Sequence, residues 1–239
     1  MTDFRHSRFA LPKIAERVAG SYLTHDLFSD ALTNLTDTEL PGFLRTYIEE
    51  GTPFAFSENP LLWESIRDFL SSRLSVPARH VGSVGSAKVG FSLNPTKFGE
   101  PFSDSSDLDL VIIDGPLFYQ CKLEGNRFCE DFRAGRVIPR TEKQKEYWED
   151  SASATIGNQI KKGFLDANKV PAIDSKYPKC TKLNDEASIV CMKLGAGHLM
   201  KIKKVSFRVF NTWEDFSERQ RLNFRSIGKK LREAKSGKP

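Results

Sequence analysis

Residues 106–114 read Ser-Asp-Leu-Asp-Leu-Val-Ile-Ile-Asp, and few short stretches restrict a fold as strongly. Asp107 and Asp109 alternate with Leu108 and Leu110. That is the period of a strand, which puts both carboxylates on one face and both leucines on the other. After Leu110 the alternation stops, because Val111, Ile112 and Ile113 are apolar on both faces. A strand of this kind belongs inside a sheet, covered on both sides at its far end. Its near end brings two like charges together, which is costly unless a cation accompanies them.

The rest of the chain supplies helices and further strands. Leu11, Ile14, Ala15, Val18 and Ala19 have helical spacing. A second helix is expected from an Asp37 cap through Phe43, Leu44, Tyr47 and Ile48, ending near Gly51. A third spans 58–75, with Pro60 in its first turn and a stripe of Leu61, Leu62, Ile66, Phe69, Leu70 and Leu74. Pro77 ends it, and His80 to Val84 reads as a short strand. Helices are expected over 117–132 and 141–162, with a basic loop at 133–140 between them and irregular chain over 166–182. Val205, Phe207 and Val209 alternate with Ser206 and Arg208 in a further strand over 204–210, and a helix over 214–232 closes the chain. Trp63, Trp148 and Trp213 read as packing residues. Together these elements imply an α+β or α/β core with a helical N-terminal region.

Composition narrows the classes. The 239 residues are 39% hydrophobic and 28% charged, as in an ordinary globular chain of one large domain or a core with an appendage. No apolar run reaches the roughly 18–20 residues of a membrane span. Residues 1–6 show no apolar signal core, so a cytoplasmic location without a membrane is expected. Four cysteines without a C-x-x-C pair, beside four histidines, argue against zinc and for free thiols. The net charge of +5 suits polyanionic partners such as nucleotides or nucleic acid, and equally a plain basic surface.

Ahead of the carboxylates lies Val81-Gly82-Ser83-Val84-Gly85-Ser86-Ala87-Lys88-Val89-Gly90. A triphosphate needs backbone N–H groups and hydroxyls close by; glycine lets the backbone approach, and a helix N-terminus favours the negative charge. Gly85-Ser86, with Gly90 four residues beyond the serine, suits that role, and Gly82-Ser83 competes for it. Lys88 is placed to touch a triphosphate. The stretch is neither a P-loop nor a dinucleotide-binding turn. Magnesium takes oxygen ligands and keeps company with phosphates, so carboxylates on one side and a Gly-Ser turn on the other point to phosphoryl chemistry.

The combination Gly85-Ser86-x-x-x-Gly90 followed by Ser106-Asp107-x-Asp109-Leu110 resembles the nucleotidyltransferase superfamily typified by DNA polymerase β. The resemblance covers 80–114, and the loop between Gly90 and Asp107 is longer than the family pattern. It implies an α+β nucleotidyltransferase core, with a mixed β-sheet flanked by helices, over 77–239, and a helical region over 1–76 packed on it. It implies Asp107 and Asp109 as ligands of Mg2+ (or Mn2+), and Gly85, Ser86, Lys88 and Ser106 around a nucleoside triphosphate. The activity implied is transfer of a nucleoside monophosphate to a hydroxyl of nucleic acid, a nucleotide or a protein. Small bacterial members act in antiphage defence or toxin–antitoxin systems, which adds a homo-oligomer or a partner protein from the same operon to the expectations. Active relatives usually carry a third acid on a later strand. The strand at 204–210 has none, which leaves Asp174, Glu214 and Asp215 as candidates, Asp174 first. Without a third acid the fold would bind nucleotide, nucleic acid or a protein partner without transfer.

Overall fold

The computed structural model describes residues 20–197 and 200–236. The helix expected over 11–19 lies outside them. The chain is α+β, a four-stranded mixed sheet flanked by helices. No described helix is long and apolar enough to cross a membrane.

The strands are β1 (Val81–Val84), β2 (Asp107–Ile113), β3 (Phe164–Asp166) and β4 (Lys204–Phe210), in the order β1-β2-β4-β3. β1 is antiparallel to β2, β2 parallel to β4, and β3 antiparallel to β4. Leu108, Leu110 and Ile112 of β2 and Val205, Phe207 and Val209 of β4 enter one large core. That core is covered by α3 (Pro60–Leu74), α5 (Gly115–Arg133) and α8 (Pro178–Ala196). Leu108 and Ile112 are fully buried, and each such side chain contributes about 1.5–3 kcal/mol of transfer free energy.

The opposite face explains why β2 changes character along its length. Its far half, Val111 and Ile113, packs with Phe164, Phe210 and Phe216 in a smaller apolar cluster. Phe216 belongs to α9 (Trp213–Ser236), which packs on this end. At the near end Asp107 is exposed and Asp109 half-buried. One strand is thus sandwiched where its sequence is apolar on both sides and open where it carries carboxylates.

Around this core α1 (His25–Asn34) and α2 (Leu40–Leu44), which runs on as a π-helical turn over Arg45–Glu49, close on the C-terminal helix. Phe28 meets Phe224 of α9 edge to face, with ring centroids 5.8 Å apart. Asp37 does not cap α2, since Glu39 occupies the cap position and Asp37 pairs with Arg225 at 2.7 Å. In α3 the buried stripe is Trp63, Ile66, Leu70 and Leu74. Leu61 is 78% exposed, because it sits in the first turn on the far side of that stripe. Trp63 and Trp148 are buried, whereas Trp213 is 43% exposed.

The segment over 166–182 is not irregular throughout. It starts at the end of β3 and includes the first turn of α8. The cap for α8 comes from far away: the Glu124 carboxylate, buried in α5, accepts from the Lys179 and Cys180 backbone N–H groups at 2.9 and 2.8 Å. Between α5 and β3 lie α6 (Glu142–Asp150), a π-helical turn and α7 (Ile156–Lys161).

Candidate active site

β1 ends at Val84, and after Gly85 the next residues form α4 (Ser86–Val89), a single turn closed by Gly90. Gly85 has φ +72° and ψ −152°, a combination essentially closed to residues with a Cβ. The turn carries the chain away from the sheet edge while keeping its backbone against β2. A Cβ built on Gly85 would lie 3.4 Å from Asp109 Oδ2. Gly90 caps the turn at φ +92°, its N–H donating to the Ser86 carbonyl at 2.8 Å. One helical turn carries little of the dipole of a long helix, so phosphate recognition here would rest on N–H and hydroxyl groups.

The ladder separates the two Gly-Ser pairs. Val84 is paired with Asp109, and Ser83 with Leu110. Directly paired residues share a face, so Ser83 points to the leucine side, where it is buried. Gly85-Ser86, and not Gly82-Ser83, lies with the carboxylates.

Asp107 and Asp109 stand on the same face of β2 and line a hollow of about 340 Å³ with Gly85, Ser86, Ser106 and Lys203. The Ser86 hydroxyl has no partner among the described residues. Ser106 is committed to the loop, its Oγ accepting from the Ser103 N–H at 3.0 Å. The long loop over 91–106 folds back on itself: the Ser92 N–H donates to Glu100 O at 2.8 Å and the Phe102 N–H to Gly90 O at 2.9 Å. Lys97 reaches the hollow from that loop and pairs with Glu100 at 3.8 Å.

Four expected site residues lie outside the lining of the hollow. Lys88 does not reach the hollow. It points under the turn, 5% exposed, and donates to the carbonyls of Glu50 and Gly51, the latter at 3.0 Å. Burial there lowers its ammonium to about 8. Asp174 is exposed in the loop between β3 and α8 and lines no part of the hollow. Glu214 and Asp215 lie in the first turn of α9, where Asp215 caps back on Thr212 through bonds of 2.9 and 3.0 Å.

The residue across the ladder from Asp109 is Ser206, whose Oγ donates to Asp109 Oδ1 at 2.7 Å. Two residues on, Arg208 closes a fork on Asp166 of β3, with Nε to Oδ1 at 2.5 Å and an Nη2 contact to Oδ2 at 3.2 Å. Gln159 Nε2 also donates to Asp166 at 2.6 Å. Asp166 is therefore fully engaged. Ser206 is what the strand over 204–210 offers in place of an acid; Lys203 and Asp166 are not singled out by the sequence. The signal for Lys203 was the basic run 201–204 just before a strand, which becomes meaningful only once that strand is known to start beside Asp107.

Among the described residues no three His, Cys, Asp or Glu side chains converge to hold a metal ion. The donor set of two carboxylates is hard and oxygen-only. It suits Mg2+, which binds through one or two carboxylates and fills its remaining positions with water and phosphate oxygens. Asp109 Oδ2, the oxygen not engaged by Ser206, is the one beside Gly85. Comparisons with family models, with curated proteins and with solved structures find no match.

Proposed function

We propose that this chain binds a magnesium-complexed nucleoside triphosphate in the hollow between Gly85-Ser86 and Asp107/Asp109, and transfers its nucleoside monophosphate to a hydroxyl acceptor. The observation that carries this reading is the side-by-side placement of the two carboxylates, with Asp109 Oδ2 against the Gly85 backbone. The ion supplies charge neutralisation at the phosphates. Gly85 lets the backbone approach, Ser86 offers an unpaired hydroxyl, and Lys203 adds positive charge to the same hollow. In the transfer, the acceptor oxygen bonds to the α-phosphorus as the bond from that phosphorus to pyrophosphate breaks, and the hydroxyl proton leaves to water. Fixing these groups in place is where most of the rate would arise.

A second reading is favoured by Ser206. A neutral hydroxyl stands where a third carboxylate would best share the ion with Asp109, and such a site binds triphosphate with little transfer. One experiment separates the two. The protein is incubated with Mg2+ and labelled triphosphates, with and without nucleic acid, and binding and pyrophosphate release are both measured. Release that disappears in the Asp107→Ala/Asp109→Ala variant supports transfer, and binding without release supports the second reading. Label transfer that survives in the variant removes both acids from the mechanism.

A further inference from the structure

Asp109 stands at the seam of two hollows. Besides the one just described, it lines a second of about 340 Å³, between the open end of the sheet and α9. Gly85 and Leu93 line both. The second hollow differs in chemistry. Its apolar walls include Val84, Phe224 and Ile227, and its polar groups include Arg208, Gln220 and Asn223.

Gln220 is 5% exposed. Neither its carboxamide nor that of Asn223 has a hydrogen-bond partner among the described residues. Both carboxamides line the hollow and stay in reach of solvent, so a ligand there can take up the hydrogen bonds that water otherwise makes. The two residues are three apart on α9, so they share a helix face. Each offers an N–H donor beside a C=O acceptor. That is the complement of an amine next to a ring nitrogen, as on the N6/N7 edge of adenine. The one guanidinium lining this hollow is not free to read guanine, since its Nε and one terminal nitrogen are closed on Asp166.

We infer that the hollow beneath α9 is a nucleobase subsite selective for adenine, with Gln220 and Asn223 as its specificity-determining residues. This rests on the reading that the neighbouring hollow holds a triphosphate. The walls of Val84 and Phe224 meet the flat faces of the ring, and the carboxamides meet its edge.

The test is calorimetric titration with Mg2+ of three ligands: ATP, inosine triphosphate and inorganic tripolyphosphate. On that N6/N7 edge inosine presents two acceptors, O6 and N7, so the bidentate pair is lost. The wild-type protein is expected to bind ATP roughly 10-fold or more tighter than inosine triphosphate. Gln220→Leu, and separately the half-buried Asn223→Leu, are expected to erase much of that preference while leaving tripolyphosphate binding unchanged. The wild-type comparison needs no variant, so it stands even if Gln220→Leu does not fold. Equal affinity for ATP and inosine triphosphate, with tripolyphosphate also bound, overturns the base subsite alone. No binding of any of the three overturns it together with the triphosphate site.

Discussion

Replacing Ser206 with aspartate tests whether this position completes the carboxylate cluster. Ser206 donates to Asp109 Oδ1 at 2.7 Å, so Ser206→Ala removes one hydrogen bond to a half-exposed carboxylate, worth about 1 kcal/mol after rehydration. Ser206→Asp removes the same bond and adds a like charge on the adjacent strand, about 5 Å away by strand spacing. At an effective dielectric constant of about 40, between surface and bulk values, that repulsion is about 1.7 kcal/mol. The aspartate variant should therefore lose about 2–3 kcal/mol in EDTA, and a chain of this size loses roughly 2–4 °C of melting temperature per kcal/mol. Magnesium acts in the opposite direction. A site saturated about a hundredfold above its dissociation constant gains about 2.7 kcal/mol, which cancels the loss. The assay is thermal unfolding near neutral pH in EDTA and in excess Mg2+, for wild type, Ser206→Ala and Ser206→Asp. A Ser206→Asp variant no less stable than Ser206→Ala in EDTA, and unresponsive to Mg2+, would refute the placement of Ser206 beside Asp109.

Three further outcomes follow from individual residues. Gly85→Ala should cost about 1–3 kcal/mol through backbone strain, since its Cβ would meet Asp109 only at ordinary contact distance. Gly157→Ala, in α7 with open space around it, serves as the unstrained control, and equal urea midpoints for the two would contradict this. Burial lowers the Lys88 ammonium from 10.5 to about 8. Between those values the unfolded chain holds a proton that the folded chain has released, so stability rises with pH across that window, by about 3 kcal/mol in all. Lys88→Met should flatten that rise, and parallel pH profiles for the two proteins would count against it. Glu124→Ala removes the carboxylate that caps α8 and should destabilise by about 2–4 kcal/mol; a loss below about 1 kcal/mol by denaturant unfolding would show that the cap is dispensable.

The parts of this structure that could be read from sequence are those fixed by local periodicity. Asp107 to Ile113 announces both its strand and its change from one-sided to two-sided burial, because each residue's face follows from the period of two. Lys204 to Phe210 is legible for the same reason. What sequence does not carry is register over long separations. Nothing local says that Ser206 lies opposite Asp109, or that Arg208 meets Asp166; both depend on how β4 aligns with strands far from it in the chain. β3 escaped because three residues hold too little alternation, and α8 is not read as a helix from the sequence; its cap is a side chain of α5, far away in sequence. Lys88 follows the Gly-Ser pair closely enough to suggest phosphate contact. The turn of α4 instead rotates it under the loop at Glu50 and Gly51. Sequence favours Gly85-Ser86 over Gly82-Ser83 only through the downstream Gly90; which pair lies on the carboxylate face follows from a single ladder pairing, Val84 with Asp109.

The most direct measurement is anomalous diffraction at the manganese edge from crystals grown with Mn2+ and a non-hydrolysable ATP analogue. The account predicts an anomalous peak bonded to carboxylate oxygens of both Asp107 and Asp109, with the phosphates lying along Gly85 and Ser86. Nucleotide density away from that hollow, or a crystal saturated with analogue and Mn2+ that shows no peak between the two aspartates, would contradict it.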